Sequence, residues 1–599
     1  KASIKFAGLN IKGHGSMNFD DARNKWSDIR LMVLQKQIGV LVVGEAHMDD
    51  ERRDEITRIH GNDLKIFYSK LPDSRNKAGI AVVFNMRITN TIGIQMYEVV
   101  AGHAIIIETN WHNDERISIL AVYAPNTDSA TNAAFWGKIE DFYDRHPRIK
   151  KPNILLGDLN MVEEPLDRLP ACSDPTAITS SFDSLKCSLQ LEDGWTNTYP
   201  DTLKYTFKQN ISGQRLRHSR LDRIYIRAQD MEHTFEWKIE QTAVDTDHSL
   251  VSVRFTSETA PVIGRGRWIS PPHLMYDKAI MTFIETEGIR AENMILDLEA
   301  QDEWDANHNA QTVWADFKKR FVELARKRSK IVMPHLTKKI SELEAKIDIV
   351  SNDPELSEDE RAITTAMLNE ALASLEKHKH KTTRVMAKAR NALQGETISR
   401  YWSNANKSKS PRDLIQRLMK PQTQSTPQPE YTTSSPEMAD MLGIYHGNLQ
   451  KDPTPPDVTL REQTTARILG NITKKLSEPH CQNLKEKLTD ENIEYALKLS
   501  ANYKAPGLDG ISYEIWKLIH ARYKNAIAHD RAAFNLIQTL RIVYNDIECN
   551  GMAPNTKFSE SWMCPLYKKN DRAQMANYRP ISLLNTDYKI MSKALTIKL

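Results

Sequence analysis

Asp158 and Asn160, in Gly157-Asp158-Leu159-Asn160, follow the unbroken apolar run Ile154-Leu155-Leu156. In an extended chain, residues two apart share a side. An acid and an amide held there can aim a water and steady a phosphoryl oxygen. The same four residues also suit an Asx turn that closes a strand. Polar groups end other apolar runs in the same way. Asn10 ends one, Glu45 follows Leu41-Val42-Val43-Gly44, Tyr123 ends residues 117–123, Asp222 lies within 219–226, and Asp247-His248 precedes the last. Singly, each has an ordinary role: an exposed Glu after a strand, a packed rim Tyr, an Asp-His helix cap. Jointly they supply a carboxylate for a hard cation, a second acid, an Asn pair and a His–Asp couple. That is the inventory of metal-assisted phosphodiester hydrolysis.

The elements that must position these groups are short. β-branched runs broken by Gly, Pro and Asn predict strands at 4–10, 40–44, 80–84, 104–108, 117–123, 153–156, 221–226 and 250–255. Helices are expected over 21–35, with Trp26, Ile29 and Val33 on one face, and over 132–143. Many strands with a few helices suggest two packed sheets with helices outside, an α+β unit.

After a Gly/Pro/Ser-rich connection at 257–268, helices take over. Leu336, Ile340, Leu343, Ile347 and Val350 follow a 4-3-4-3 spacing, Ser357 and Glu360 form a capping box, and Leu368, Leu372 and Leu375 resume the pattern. This is a helical hairpin or short coiled coil. It runs into the basic tract Lys377, His378, Lys379, His380, Lys381, Arg384, Lys388 and Arg390, read either as a solvated helix face or as a phosphate-contacting surface. Pro/Thr/Ser-rich stretches at 421–436 and 452–457 predict a flexible linker. The expected division is 1–256, 257–420 as a helical connector, 421–487 as a linker with a short helix, and 488–599.

At 599 residues, with 40% hydrophobic and 27% charged content, the chain is an ordinary globular composition long enough for several domains. No apolar run approaches membrane-spanning length, so no membrane partner is expected. Five scattered cysteines argue against a zinc or disulfide framework and for a reducing compartment. A net charge of +3 names no partner.

The ordered set Leu9-Asn10, Gly44-Glu45-Ala46-His47, Val122-Tyr123-Ala124-Pro125-Asn126, Gly157-Asp158-Leu159-Asn160, residues 219–226 and Thr246-Asp247-His248-Ser249 resembles the endonuclease/exonuclease/phosphatase superfamily. Within it, the set looks most like the apurinic-endonuclease-like domains of LINE-type (non-LTR) retrotransposons. Glu164-Pro165-Leu166-Asp167-Arg168 and Ser219-Arg220-Leu221-Asp222-Arg223 add to that. The resemblance implies a two-sheet αββα sandwich of the DNase I type that nicks duplex DNA with Mg²⁺, for which Mn²⁺ can substitute. It implies that Glu45 binds the metal, with Asn10 and Asp247 around it. Asp158 orients or deprotonates the water, Asn160 and His248 hold phosphate oxygens, Tyr123 contacts the phosphate, and Asp222 pairs with His248. Arg220 is expected at the nucleic acid. One departure stands out: the family usually has Gln before the metal Glu, and here it is Gly44.

Lys504-Ala505-Pro506-Gly507-Leu508-Asp509-Gly510, Cys564-Pro565-Leu566-Tyr567-Lys568-Lys569 and residues 577–584 resemble the opening fingers segment of a LINE reverse transcriptase. That resemblance places Arg579, and Lys568 or Lys569, near nucleotide phosphates or template. The paired palm carboxylates of such polymerases are not among these motifs, so no polymerase activity is expected of this chain. The expected function is therefore a DNA endonuclease leaving a 3′-hydroxyl primer, acting in the nucleus, with the element's own RNA as a further partner. The rival readings are a silent nucleic-acid-binding remnant and an abasic-site repair endonuclease.

Overall fold

The computed structural model describes residues 2–598 apart from 19–20, 22, 73–76, 111–115, 210–216, 259, 261–265, 302–303, 332–334, 354, 395–413, 422–427, 452–456, 474–475 and 503, with only the backbone at 209, 272–273, 335–336 and 379–394. It divides into two units, residues 1–262 with 335–416 and residues 263–334 with 417–599. The expected division therefore changes. The hairpin goes with the first unit, and the helices before it go with the last.

Among the described residues, fifteen strands build the first unit: β1 (Ser3–Asn10), β2 (Val40–Gly44), β3 (Leu64–Ser69), β4 (Ile80–Asn85), β5 (Gln95–Val100), β6 (Ala104–Asn110), β7 (Arg116–Tyr123), β8 (Ile154–Asp158), β9 (Arg168–Leu169), β10 (Leu191–Asp193), β11 (Phe207–Gln209), β12 (Arg217–Ser219), β13 (Asp222–Arg227), β14 (Thr234–Glu240) and β15 (Leu250–Thr256). They form two six-stranded sheets, ordered β14-β15-β1-β2-β4-β3 and β10-β13-β8-β7-β6-β5, and a small third sheet, β11-β12-β9.

Strand residues are apolar on both faces because each face has something to cover it. Phe6, Val40, Val42, Val82 and Phe84 of one sheet meet Ile105, Ile107, Ile119, Ile154 and Ile224 of the other. The alternate residues Leu9, Leu41, Val43 and Val83 pack outward on Trp26, Ile29 and Val33 of the helix Lys25–Gln35. On the far side Leu120, Leu155 and Tyr225 take Phe135 and Trp136 of Ser129–Arg145 and Phe182 of Thr176–Leu189. The layering is the expected αββα sandwich.

The hairpin consists of His335–Ser351 and Glu358–Gln394. Ile340, Ile347 and Leu372 are buried between them, with Leu343, Leu368 and Leu375 packed alongside. Ser357 Oγ accepts from the Glu360 N–H at 3.3 Å, and the Ser357 N–H donates to Glu360 Oε2 at 3.1 Å, the capping box read from the sequence.

In the second unit, helices Lys278–Glu299, Ala310–Ile331, Tyr513–Ile527, Leu536–Asn550 and Thr586–Lys598 pack around Ile284, Trp314, Phe317, Trp516, Leu540, Tyr544 and Ile590. The Gly507–Gly510 turn is tied to the residues just past the strand Tyr578–Leu584: the Asp509 N–H donates to Asn585 Oδ1 at 3.2 Å, and buried Lys318 pairs with Asp587 at 2.6 Å and Asp509 at 3.7 Å. Arg579 and Lys568 are both exposed beside the two-stranded hairpin of Ser561–Tyr567 and Tyr578–Leu584. Of the two stretches expected to form a flexible linker, 422–427 and 452–456 lie outside the described residues; between and after them, where one short helix was expected, stand the helices Ser435–Leu449, Val458–Gly470 and Glu478–Lys485.

Candidate active site

Strand direction brings the polar groups together. β1 and β2 are parallel, with Asn10 beside Gly44, and β15 runs antiparallel to β1. The C-terminal ends of β1 and β2 and the N-terminal end of β15 therefore share one edge. The second sheet repeats this arrangement. β7 and β8 are parallel with Tyr123 beside Asp158, and β13 is antiparallel to β8 with Asp222 also beside Asp158. Gly8 of β1 and Gly157 of β8 lie opposite each other beneath that edge, at ordinary contact distance: a Cβ built on Gly8 would stand 3.9 Å from the Gly157 Cα. Gly157 also has φ +149, and a Cβ there would sit 1.8 Å from the Val122 carbonyl oxygen. Gly157→Ala should therefore cost about 2–4 kcal/mol from overpacking and backbone strain, seen as a lower urea midpoint. An unchanged midpoint would mean that β7 and β8 part more easily than their register implies.

At the shared edge one amide bridges two acids. Asn10 Nδ2 donates to Glu45 Oε1 at 3.1 Å and to Asp158 Oδ2 at 2.9 Å. The Tyr123 hydroxyl donates to the same Glu45 oxygen at 2.9 Å. Burial, then the nearby Glu45 and Asp158 charges, push the Tyr123 phenol well above its ordinary range, so it stays a neutral donor. Asp158 Oδ1 accepts from the Asn160 N–H at 2.9 Å. The Asn160 amide donates to the Ala124 carbonyl at 2.7 Å and lies beside the Tyr123 hydroxyl. Glu45 and Asn160 both have left-handed backbone, φ +48 and +49. Asn tolerates this conformation, but for Glu45 it costs about 1–2 kcal/mol, an expense typical of functional positions.

The His248 ring meets Asp222 Oδ2 through Nδ1 at 2.7 Å, with both side chains buried. Burial alone would lower the His248 pKa, but the Asp222 charge and hydrogen bond, with Asp158 and Asp247 behind them, raise it to about 9. Burial first, and then the neighbouring Asp222, raise Asp158 to about 6, against a lowering by His248. Ligand atoms of Asp158, Asp222 and His248 lie within 4.8 Å of one another. The trio could hold a divalent ion through a neutral imidazole; without one, it is a histidine hydrogen-bonded to a carboxylate with a second carboxylate nearby. Glu45, whose Oε1 accepts from the Asn10 amide, offers further oxygen donors for a hard ion.

Other members of the site carried no signal in the sequence. Thr246 Oγ1 donates to the Asn10 carbonyl at 2.7 Å, tying the His248 loop to β1. Thr206 Oγ1 accepts from the Leu221 and Asp222 N–H groups at 3.0 and 2.9 Å. The Phe207 ring lies 4.8 Å from that of His248. Lone Thr and Phe residues in a loop have no periodic or motif signature.

Asp247 stands at the rim, paired with Lys12 at 2.7 Å and 4.0 Å from His248 Nε2. One expected role is revised, that of Arg220. Arg220, expected to touch nucleic acid, is buried. It bonds Asp167 at 2.7 Å, Asp193 at 2.8 Å and Thr196 at 2.9 Å. Buried Arg223 joins it, reaching Glu163 at 2.9 Å, Asp193 at 2.8 Å, and Asp167. Two guanidiniums on either side of Asp222 thus latch the loop that leaves Asn160.

No family model matches the chain. It is 24% identical over 493 residues to the transposon TX1 uncharacterized 149 kDa protein of Xenopus laevis, an alignment that takes in 80% of this chain and 34% of that one. The chain thus spans about a third of that relative's length. Among solved structures, AP endonuclease LMAP from Leishmania major superposes at 16% identity and a TM-score of 0.37, over 43% of this chain and 88% of that one. The endonuclease domain of TRAS1, a telomere-specific non-LTR retrotransposon, does so at 11% identity and 0.31, over 43% and 99%. An AP endonuclease from Archaeoglobus fulgidus gives 14% and 0.33, over 42% and 100%. By sequence the chain is thus a relative of a transposon-encoded protein, in keeping with the LINE-type resemblance of its motifs.

Proposed function

We propose that the first unit is the DNA endonuclease of a LINE-type retrotransposon, hydrolysing one phosphodiester of duplex DNA to leave a 3′-hydroxyl that primes reverse transcription. A single observation carries this reading. Asn10, Glu45, Tyr123, Asp158, Asn160, Asp222 and His248, spread over the chain, meet at one edge of the sandwich. Asp158 takes the proton of the attacking water. His248, held cationic and in one orientation by Asp222, offsets charge that grows on the phosphate oxygens. Tyr123 and Asn160 donate to those oxygens, while Asn10 keeps the two acids in register. Glu45, with Asn10 beside it, would hold Mg²⁺ (or Mn²⁺), which would supply Lewis-acid charge stabilisation when bound. Action on DNA implies a nuclear site of function.

Supercoiled plasmid incubated with the full chain tests the reading: relaxation to the nicked circle is expected with Mg²⁺ and not with EDTA. Failure to nick with either Mg²⁺ or Mn²⁺ would leave a silent binding protein. A strong preference for an abasic-site oligonucleotide over intact duplex would favour repair instead. The rate should also be bell-shaped in pH. It should rise as Asp158 loses its proton near 6 and fall as His248 loses its own near 9. A rate independent of pH across that window would remove Asp158 and His248 from the chemistry.

A further inference from the structure

The basic tract that the nuclease chemistry does not use gains a position from the fold. Three contacts lay the helix Glu358–Gln394 along the sandwich. His218 Nε2 meets the Ala362 carbonyl at 3.1 Å, Lys208 Nζ donates to the Ala366 carbonyl at 3.2 Å, and Lys377 Nζ pairs with Asp245 at 2.8 Å. The other helix of the hairpin is fastened too, by Asn352 Oδ1 accepting from the Leu203 N–H at 2.8 Å and by Lys204 pairing with Asp348 at 2.7 Å. Ala362 and Ala366, small and buried, allow the close approach.

The path of the helix is informative. It passes β12, then β11, then the loop that carries Asp245, Asp247 and His248. β11 is itself joined to that loop, since Phe207 bridges His248 and the Lys208 N–H donates to the Asp247 carbonyl at 3.2 Å. From Ala362 to Lys377 the helix advances about 22 Å, and its backbone runs about 25 Å further to Gln394, at 1.5 Å per residue. Along that last stretch the sequence carries Lys377, Lys379, Lys381, Arg384, Lys388 and Arg390, with no acid before Glu396. A solvated face does not call for such one-sided charge, whereas a rod of cations leaving the rim of a phosphodiester-cleaving site matches a polyanion. Lys12, whose side chain is 65% exposed, adds a cation to the same rim.

We propose that this docked helix is a DNA-binding arm of the nuclease, gripping the backbone of the duplex on one side of the phosphate to be cut. The proposal rests on the nuclease reading for its choice of duplex DNA. Its test does not depend on cleavage.

Binding of a duplex oligonucleotide to the full chain is measured in EDTA over a range of salt. Two variants are compared with the parent. One neutralises the arm (Lys377→Gln, Lys379→Gln, Lys381→Gln, Arg384→Gln). The other keeps every charge but crowds the docking face (Ala362→Gln, Ala366→Gln). The neutral arm should weaken binding about tenfold or more and flatten the plot of log K against log salt by about 0.9 for each phosphate it no longer neutralises. The crowded variant should weaken binding as well, because its cations are no longer held beside the site. Thermal unfolding of each serves as the folding control. A neutralised arm with the parent's affinity and salt slope overturns the proposal. So does a loss confined to single-stranded RNA. Parent protein that binds but never nicks would sink the nuclease reading and leave the arm standing.

Discussion

Asp158→Asn is expected to lower the nicking rate on the order of 10²–10⁴-fold, the contribution typical of a positioned general base. Thermal stability at pH 8 should stay close to the parent's. The two outcomes have one cause. Asp158 is buried beside Asp222, and its folded pKa is raised from 3.8 to about 6. A carboxylic acid whose folded value exceeds its unfolded one opposes folding as pH rises from the lower value through the higher, and the opposition is complete above both. At pH 8 the protein bears that cost in full. Asn is isosteric and removes the charge, but its one oxygen can accept from the Asn10 amide or from the Asn160 N–H and not from both, so a lost hydrogen bond offsets part of that relief. A side chain kept in shape but relieved of charge should therefore leave an inactive protein of about the parent's stability. Stability falling together with rate would instead make Asp158 a structural acid whose charge is needed to hold β8, and the nuclease assignment would lose its centre. Steady-state nicking combined with differential scanning calorimetry separates the two.

Arg223→Met is expected to cost about 3–5 kcal/mol, the usual penalty for removing one partner of a buried ion pair. The arginine lies inside the second sheet with its side chain 1% exposed. It holds Glu163, Asp167 and Asp193, while Arg220 shares the two Asp residues and Lys186 and Tyr225 share Glu163. Without it, carboxylates remain in a poorly solvated place with too few cations. Burial would raise Asp167 and Asp193, but the charges and hydrogen bonds of the two arginines outweigh it and hold both below the ordinary value of 3.8. The stability they contribute is therefore present above that value and is lost as pH falls through their lowered folded values. In Arg223→Met this acid-labile contribution should shrink, so the variant should differ from the parent more at neutral pH than in acid. Arg223→Lys should recover only part of the loss, because an ammonium cannot match three carboxylates as a planar fork does. Urea unfolding at two pH values reads all of this. A loss below about 1 kcal/mol at neutral pH would show that the network is solvated enough to rearrange.

The strands that the sequence revealed are the central ones. Residues 40–44 are β2 as read, and β1, β4, β6, β7, β8, β13 and β15 differ from their expected spans by a few residues at most. Covered on both faces, they must be apolar throughout. The edge strands β3, β5 and β14 escaped notice because their outer residues are partly exposed and mixed in character, as in Gln95–Val100. The helix Asp50–His60 escaped for a related reason, since Ile56 is its one buried residue and no apolar stripe marks it. Asp49 caps that helix by accepting from the Arg52 N–H at 2.9 Å.

Local chemistry thus determined which segments extend and which polar side chain terminates each one. An apolar run and the Gly or Asn that ends it are neighbours along the chain. What only the tertiary structure decided is which of those ends coincide. That depends on β1 pairing parallel to β2 and antiparallel to β15, and on the same arrangement of β7, β8 and β13. It also decided that Arg220 faces inward, because buried charge must find its counter-charge wherever the fold supplies one, and that the helix bearing the basic tract is fastened to Asp245 in the loop before His248.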